Sequence, residues 1–355
     1  MKRRELLFLL GLSSVTGGLA IAGGHNRTTA TIPTNTLLSQ AGTTPASDNE
    51  LVIYSGLNEK LVGKLIQQFS EKTGATVQVR YCNTAELAAA ILEEGKNSPA
   101  DVFFAQDAGA LGALQQEGRT VQMPSAVLNQ VDSRYRSPQG QWVGISGRVR
   151  TVDYNTKNVK PSELPKTIFG FTEPRWKGRI GWAPTNGSFQ AFVTALRVSE
   201  GDKRARQWLE GIKANNPRVY PNNTAIIQGL AQGEIDVGFV NHYYLEQLKQ
   251  ENPKVPIAHH FTNDVGSLVN VAGVAILNTS DSPKIAQRFV EFLLSPEAQQ
   301  YFATQTSEYP LTAKVKAKGN LRPLTEIRRQ TPNIDLSNLS DLEATLELLQ
   351  QTQEL

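Results

Sequence analysis

Two adjacent tyrosines, Tyr243 and Tyr244, stand between an apolar run at residues 235–240 and a helix-like stretch at residues 245–250. Inside a strand, neighbouring side chains point to opposite faces, so adjacent tyrosines can converge only where a strand ends or a helix begins. The positive end of a helix dipole favours anions there and makes a phenol easier to ionise. Phenolates are hard oxygen donors, and the ion that suits them is ferric iron. The alternative interpretation is that both tyrosines are ordinary aromatic side chains covering the edge of a cleft.

The composition of the chain excludes some classes of protein. Its 355 residues, with 39% hydrophobic and 19% charged residues, are ordinary for a soluble globular protein with two domains or one large bilobed domain. The 36 basic residues are scattered and the formal net charge is only +3, so no nucleic-acid surface is expected. The single cysteine, Cys82, excludes an intramolecular disulfide.

The N-terminal residues have the pattern of an export signal. Met1-Lys2-Arg3-Arg4 precedes an apolar stretch at residues 6–22 that ends in Ala20-Ile21-Ala22. We therefore expect a signal peptide at residues 1–22 and a flexible tether at residues 23–49, rich in Thr, Ser, Ala, Asn and Pro. The arginine pair fits both a twin-arginine signal and the positive end of a general secretory signal. Both routes predict a protein of the periplasm.

Strand-like and helix-like stretches alternate along the rest of the chain. Strands are predicted at residues 51–54, 75–81, 101–105, 179–183 and 235–240, and helices at residues 58–73, 84–94, 108–116, 189–198, 204–214 and 224–232. This order predicts an α/β fold with parallel strands in two lobes. The β-rich stretches at residues 142–155 and 267–277 are expected to pass between the lobes as hinge strands. Because ligands bind beyond the carboxyl ends of parallel strands, residues 55–58, 106–107 and 241–244 should face one cleft.

The chain also contains five motifs that occur together in one known family. They are Ser98-Pro99-Ala100-Asp101-Val102-Phe103-Phe104, Arg179-Ile180-Gly181-Trp182-Ala183-Pro184-Thr185, Gly233-Glu234-Ile235-Asp236, Asn241-His242-Tyr243-Tyr244 and Ser307-Glu308-Tyr309-Pro310-Leu311. In order and spacing they resemble the ferric-iron-binding periplasmic proteins of ABC importers. The resemblance implies a two-lobed type 2 periplasmic-binding-protein fold with iron in the interlobe cleft. The N-terminal lobe would comprise residues 50–149 and 274–323, and the C-terminal lobe residues 150–273 and 324–355.

The same resemblance implies which residues hold the metal. Tyr243 and Tyr244 match the tandem iron ligands of the family, and Tyr154 matches a position where some members supply a third tyrosine. The alternative for Tyr154 is an aromatic side chain of the hinge strand that packs between the lobes. Some members have a histidine and a glutamate where this chain has Asn58 and Gln106, which are poor ligands for ferric iron. No protein carboxylate is therefore expected within reach of the iron, and a small anion or water would complete its coordination.

Carbonate and phosphate are the anions that the resemblance implies. The residues that match anion-contacting positions of related proteins are Ser146, Gly147, Asn223 and Asn241. Arg150 shares a strand face with Tyr154, so it is a candidate to stabilise a phenolate or the anion, with a solvated surface position as the alternative. Further candidates for the lining of the cleft are Asn58, Gln106 and Asp107. The alternative role for each of these candidates is capping a helix, since asparagine and serine near strand ends usually do so.

The sequence thus predicts binding rather than catalysis. The chain would capture ferric iron outside the cytoplasmic membrane, as a monomer, and deliver it to the permease of an ABC importer. Import of another anionic or organic solute, or sequestration of iron without transport, are the alternatives. An enzyme is not expected, because no Ser-His-Asp or Cys-His arrangement and no glycine-rich phosphate loop is visible. His242, His259 and His260 are not expected to bind metal, because the tyrosines occupy the cleft and the last two residues alternate along a probable strand.

Overall fold

The computed structural model describes residues 49–319 and 321–353. The predicted signal peptide and nearly all of the predicted tether, residues 1–48, lie outside the described residues. Strands in the described part are β1 Glu50–Ser55, β2 Thr76–Tyr81, β3 Val102–Ala105, β4 Val143–Asn155, β5 Ile180–Trp182, β6 Arg218–Val219, β7 Val237–Asn241, β8 Ile257–His260, β9 Val269–Ile276 and β10 Tyr309–Pro310. Helices there are α1 Glu59–Thr73, α2 Thr84–Glu94, α3 Ala108–Gln116, α4 Ser125–Leu128, α5 Gly187–Glu200, α6 Asp202–Ala214, α7 Asn223–Gln232, α8 His242–Glu251, α9 Pro283–Leu293, α10 Pro296–Tyr301, α11 Leu324–Gln330 and α12 Leu342–Gln351. Within these ranges no helix combines the length and apolar character that crossing a bilayer requires.

The strands form two parallel groups that are joined through antiparallel neighbours. In the first half of the sheet, β1 pairs in parallel with β2 and β3, and β9 runs antiparallel to β3. In the second half, β5 pairs in parallel with both β6 and β7. The overall order is β2-β1-β3-β9-β4-β7-β5-β6, with β8 and β10 pairing with β4 off this path. The alternation of strands and helices in the sequence thus yields the predicted parallel pairing.

One strand, β4, connects the two halves. Its residues 143–149 pair with β9, and its residues 150–155 pair with β7 and β8. All thirteen residues of β4 are buried, as expected for a strand covered on both faces. The other predicted hinge strand, β9, pairs with β3 and β4 of the first half along its whole length. Residues 269–273, which the sequence prediction placed in the C-terminal lobe, therefore belong by pairing to the first half of the sheet.

Helix α8 begins earlier than the apolar pattern predicted. The pattern predicted a helix from residue 245, whereas α8 starts at His242, so Tyr243 and Tyr244 lie in its first turn. By contrast, α2 and α3 have the bounds that their apolar periodicity predicts. The apolar periodicity did not predict the first turn of α8, because the side chains there are polar or aromatic rather than aliphatic.

A small core holds α8 against the sheet. It combines Ile226 and Leu230 of α7, Val240 of β7, Leu245 of α8 and Ile257 of β8. Leu245 is fully buried, one residue after the tyrosine pair. Burying such a side chain contributes about 1.5–3 kcal/mol to the stability of the folded state, so the helix that carries the tyrosines is anchored directly behind them.

The C-terminal segment contacts both halves of the molecule. The 3-10 helix Leu336–Ser340 packs against α3, where Gly109 and Gly112 leave room for the backbone of Leu339 and Ser337. Further along, the hydroxyls of Thr345 in α12 and Thr194 in α5 are hydrogen bonded at 2.8 Å. The segment assigned to the C-terminal lobe therefore also covers the first half, and the boundaries of the lobes stay a prediction.

Candidate metal centre

Three helices of the second half begin at one edge of the sheet. Because β5, β6 and β7 are parallel, their carboxyl ends share that edge. They lead into α5 at Gly187, α7 at Asn223 and α8 at His242. Helix N-termini present free backbone N–H groups and the positive end of the helix dipole. This edge therefore favours phenolates and small anions.

Tyr243 and Tyr244 lie at this edge as a stacked pair. Their ring centroids are 4.3 Å apart, and the ring planes are inclined by 32°. Burial, followed by the neighbouring Tyr244, raises the pKa of the Tyr243 phenol far above its usual value, while the nearby Arg148 opposes this effect. Without a bound cation, the Tyr243 phenol is therefore protonated at neutral pH. Two adjacent phenol oxygens of this kind are suited to a small, highly charged cation that displaces their protons.

Arg150 is the buried cation beside the two phenols. It lies directly opposite Asn241 in the pairing of β4 with β7. Its Nη2 donates to the carbonyl oxygen of Phe239 at 2.8 Å, and its Nη1 donates to Ser188 Oγ at 3.4 Å. Burial lowers the pKa of the guanidinium to about 10, and the charges of Tyr244 and Tyr243 oppose that shift. Arg150 is thus not the solvated surface residue that was the alternative in the sequence analysis.

Asn186 and Ser188, which the sequence analysis did not single out, complete this cluster together with the predicted Asn223. Asn223 Nδ2 donates to Ser188 Oγ at 3.0 Å and to Asn186 Oδ1 at 3.3 Å, and Ser188 Oγ donates to Asn186 Oδ1 at 2.6 Å. Asn186 and Ser188 follow β5 and form the start of α5. The sequence could have indicated them, because residues 179–183 were predicted as a strand and polar residues just beyond its carboxyl end should lie at the same edge as Asn241.

Asn241 is the N-cap residue of α8, but its side chain makes no capping hydrogen bond. Its amide is therefore free of the helix and can contact a ligand.

Ser146 and Gly147, which the sequence analysis proposed as anion contacts, make no side-chain hydrogen bond to the tyrosines, Ser188 or Asn223 among the described residues. Ser146 is fully buried, and its Oγ donates to Glu308 Oε2 at 2.7 Å. Gly147 pairs with Tyr309 of β10 on one side and with Val271 of β9 on the other. Both residues are occupied inside the first half of the sheet. The structure therefore gives no support to the anion contacts that the resemblance implied for them.

Tyr154 is also separated from the tandem tyrosines. It pairs with Val237, whereas the residue opposite Asn241 is Arg150, four pairs away. At 3.3–3.4 Å per residue this places Tyr154 about 13 Å along the strand from the edge where α8 begins. Tyr154 is 6% exposed, and burial raises the pKa of its phenol. This position fits the alternative interpretation, an aromatic side chain of β4 that packs in the core.

The expected cleft-lining residues lie at strand ends of the first half. Asn58 Oδ1 accepts from the backbone N–H of Leu61 at 3.1 Å, and Asp107 Oδ1 accepts from that of Ala110 at 3.1 Å. Both are helix caps, which was the alternative role. Gln106 is exposed at the carboxyl end of β3. In the described part of the chain, no hydrogen bond or ion pair links these three side chains to the tyrosines.

One buried carboxylate, Glu308, interacts electrostatically with the tyrosine pair. Glu308 is 8% exposed and its charge further raises the pKa of Tyr243. Its Oε1 lies 3.8 Å from Arg148 Nε, and its Oε2 accepts from Ser146 Oγ and from Thr306 Oγ1. The oxygens of Glu308 already have partners, so the expectation that no protein carboxylate binds the iron stays a prediction.

The histidine rings have partners of their own. His259 lies between Asp153 at 2.7 Å and Glu246 at 3.2 Å, and His260 Nε2 donates to the carbonyl oxygen of Pro165 at 2.7 Å. The neutral ring of His242 bridges backbone groups, and burial lowers its pKa to about 3. Over residues 49–319 and 321–353, no group of three or more His, Cys, Asp and Glu side chains could hold a metal ion. The tyrosine pair is thus the strongest candidate for a metal centre in this part of the chain.

These features are those of a protein that binds a small solute, and comparison with known proteins gives its class. The chain belongs to the family of bacterial extracellular solute-binding proteins, whose model matches residues 64–324. It is similar to the major ferric iron-binding protein of Neisseria meningitidis serogroup B, with 31% identity over 310 residues that cover 85% of this chain and 92% of that protein.

Solved structures agree with this assignment. Iron-bound HitA from Pseudomonas aeruginosa has 32% identity and a TM-score of 0.77, covering 85% of this chain and 99% of that one. The Trichodesmium protein IdiA, or FutA, solved with iron and citrate, has 30% identity and a TM-score of 0.75 at the same coverage. The predicted two-lobed α/β fold of periplasmic binding proteins, the resemblance to the ferric-iron-binding proteins and the prediction of a binding protein rather than an enzyme are confirmed.

Proposed function

We propose that this chain captures ferric iron in the periplasm and delivers it to the permease of an ABC importer. The observation that carries the proposal is the stacked pair of Tyr243 and Tyr244 in the first turn of α8, with the buried Arg150 beside them. The similar proteins support it, since their names and titles state that they bind iron. Export to the periplasm rests on the N-terminal sequence pattern.

The proposed ligands are the phenolate oxygens of Tyr243 and Tyr244. Ferric iron takes more than two donors, so a small anion and water would complete its coordination. Helix N-termini with hydroxyl and amide side chains suit an anion at this edge, and the side chains available there are Arg150, Ser188, Asn223 and Asn241. Carbonate and phosphate fit these donors, and the similar Trichodesmium structure contains citrate. We leave Tyr154 out of the ligand set because of its strand register.

A ferric titration of the purified mature protein tests this proposal. Ferric phenolate absorbs visible light, so adding ferric citrate at neutral pH should produce a charge-transfer band that saturates at one iron per chain. The double variant Tyr243→Phe with Tyr244→Phe should show no band, while keeping the melting temperature of the parent. A colourless parent, or a band that persists in the double variant, would overturn the proposal.

The anion is identified by the same titration in different buffers. The protein is freed of bound anions and titrated in buffer alone, with bicarbonate, with phosphate and with citrate. The expected result is tighter iron binding with one anion, and a loss of that gain in Asn223→Ala. If all buffers give the same affinity, water completes the coordination and the anion site is absent. Binding of phosphate or sulfate in the absence of iron, together with no response to iron, would support import of another anion.

A further inference from the structure

His242 is the first residue of α8 and immediately precedes the tyrosine pair. Its side chain is fully buried. Its Nδ1 accepts from the backbone N–H of Val149 at 3.2 Å, and its Nε2 lies 2.9 Å from the carbonyl oxygen of Ser307. Because the Val149 amide can only donate, Nδ1 must be the acceptor and Nε2 must carry the hydrogen. The ring is therefore neutral, with both nitrogens bonded to backbone groups of other elements.

The Val149 amide lies at the crossover of β4. Val149 makes the last pair of β4 with β9, and Arg150 makes the first pair of β4 with β7. Val149 is also flanked in sequence by Arg148 and Arg150. Both arginines interact electrostatically with the tyrosine pair. The charge of Arg148 lowers the pKa of Tyr243, and Arg150 interacts with both phenols. The bond from Val149 to His242 thus fixes the start of α8 to the backbone between the two cations.

The Ser307 carbonyl belongs to a turn that holds the carboxylate of the same cluster. Ser307 has a φ of 60° and follows the π-helical turn Phe302–Thr306. A non-glycine residue in the left-handed region is uncommon and needs support from its surroundings. Two hydrogen bonds from α8 give this support. His242 donates to the Ser307 carbonyl oxygen, and Gln250 Nε2 donates to Ser307 Oγ at 3.1 Å. The next residue is Glu308, the partner of Arg148.

We propose that His242 is a positioning residue of the iron site. Its imidazole joins the first turn of α8, the crossover of β4 and the turn at Ser307, and so sets where Tyr243 lies relative to Arg148 and Arg150. The inference rests on the proposed function, because the tyrosines are taken as the ligands. His242 is not itself a ligand, since both ring nitrogens are occupied. A neutral imidazole suits this role because one rigid ring offers an acceptor and a donor in fixed directions.

Three substitutions separate the two bonds. His242→Asn keeps an acceptor near the position of Nδ1, His242→Gln keeps a donor near the position of Nε2, and His242→Ala removes both. Residues that orient metal ligands typically change metal affinity by about 10- to 100-fold. We expect iron affinity to fall by about that factor in His242→Ala and by less in the other two. The charge-transfer band should shift in all three, because the geometry of the phenolates changes.

Two further variants show whether a loss of iron affinity is specific to the bonds of His242. His260→Gln removes another histidine that donates to a backbone carbonyl, that of Pro165, outside the tyrosine cluster, and it should leave iron affinity and the band unchanged. Gln250→Ala loosens the same Ser307 turn from an exposed position. It should fold like the parent and weaken iron binding by a few-fold, so it tests the inference even if the His242 variants do not fold.

The experiment measures iron affinity by competition with citrate, the absorption band, and the melting temperature of the iron-free protein. Lower melting temperatures with parental iron affinity and an unshifted band would overturn the inference and leave His242 a core residue. If the His242 variants do not fold, parental affinity in Gln250→Ala has the same meaning. Tyr243→Phe is measured beside them. If it binds iron like the parent, the proposed function fails, whereas loss in Tyr243→Phe with no change in the His242 series rejects only the positioning role.

Discussion

Arg150 lies directly opposite Asn241 in the antiparallel pairing of β4 with β7. Since α8 begins immediately after Asn241, this register sets a buried guanidinium beside the tyrosine pair. The same register places Tyr154 opposite Val237, at the far end of β7. One pairing therefore decides that an arginine, and not a third tyrosine, is the neighbour of Tyr243 and Tyr244 on β4.

The tandem tyrosines and Tyr154 should respond differently to loss of the hydroxyl. Tyr243→Phe and Tyr244→Phe each remove one donor oxygen, so iron affinity should fall by more than the roughly 10- to 100-fold seen for residues that only orient a ligand. Tyr154→Phe is the matched control, and it should bind iron like the parent. Iron titration and thermal melting of the three variants measure this. Strong loss in Tyr154→Phe would show that the third tyrosine does reach the metal.

Replacing Arg150 should weaken iron binding without lowering the stability of the fold. Arg150→Met removes a buried charge whose Nε has no hydrogen-bond partner. Burying a charge costs free energy, and relief of that cost offsets the loss of the bonds to Phe239 and Ser188. The melting temperature of the iron-free protein should therefore stay the same or rise, while iron affinity falls by about 10-fold or more. Arg150→Lys keeps the charge without the planar fork and should be intermediate. Arg204→Met, at an exposed position in α6, is the control, and an equal loss of affinity there would contradict the prediction.

Iron binding should release protons. Burial and Tyr244 raise the pKa of Tyr243 in the folded protein, so its phenol is protonated at pH 7 before iron binds. Each tyrosine that binds as a phenolate must lose its proton, so two ligands predict release of about two protons at pH 7 and weaker binding as the pH falls. Calorimetry in buffers of different ionisation enthalpy gives the count. A count of zero would be incompatible with phenolate ligands.

His259 should make the stability of the fold depend on pH. Burial alone would lower its pKa, but Asp153 and Glu246 together raise it to about 9. Because the folded-state pKa lies above the unfolded value, the stabilisation is complete below about pH 6.5 and is lost as the pH rises through about 9. The shift corresponds to about 3 kcal/mol. The free energy of unfolding in urea, compared at pH 6 and pH 9.5, should fall more for the parent than for His259→Gln. Equal falls in both proteins would assign the pH dependence to other groups.

Much of the fold could be predicted from the sequence because its helices and strands carry strong apolar periods. The bounds of α2 and α3 follow from alanine and leucine residues at helical spacing, and the alternation of strands and helices predicted parallel pairing. The start of α8 was predicted too late, because His242 is buried through bonds to Val149 and Ser307 that lie far away in sequence. No local period can report such contacts.

The sequence by itself determined that two adjacent phenols follow a buried strand and lie at its junction with a helix, since those features depend only on neighbouring residues. It could not determine which residues meet them. Arg150 and Ser188 lie at the tyrosine edge, whereas Tyr154 lies at the far end of β7 and Gly147 pairs within the first half of the sheet. Each outcome depends on strand register and on where a parallel strand ends. A strand that is buried on both faces is apolar throughout, so its sequence pattern looks the same after a shift of register by one residue. That shift nevertheless moves every side chain to the opposite face. Only the tertiary structure therefore decides the surroundings of the tyrosine pair.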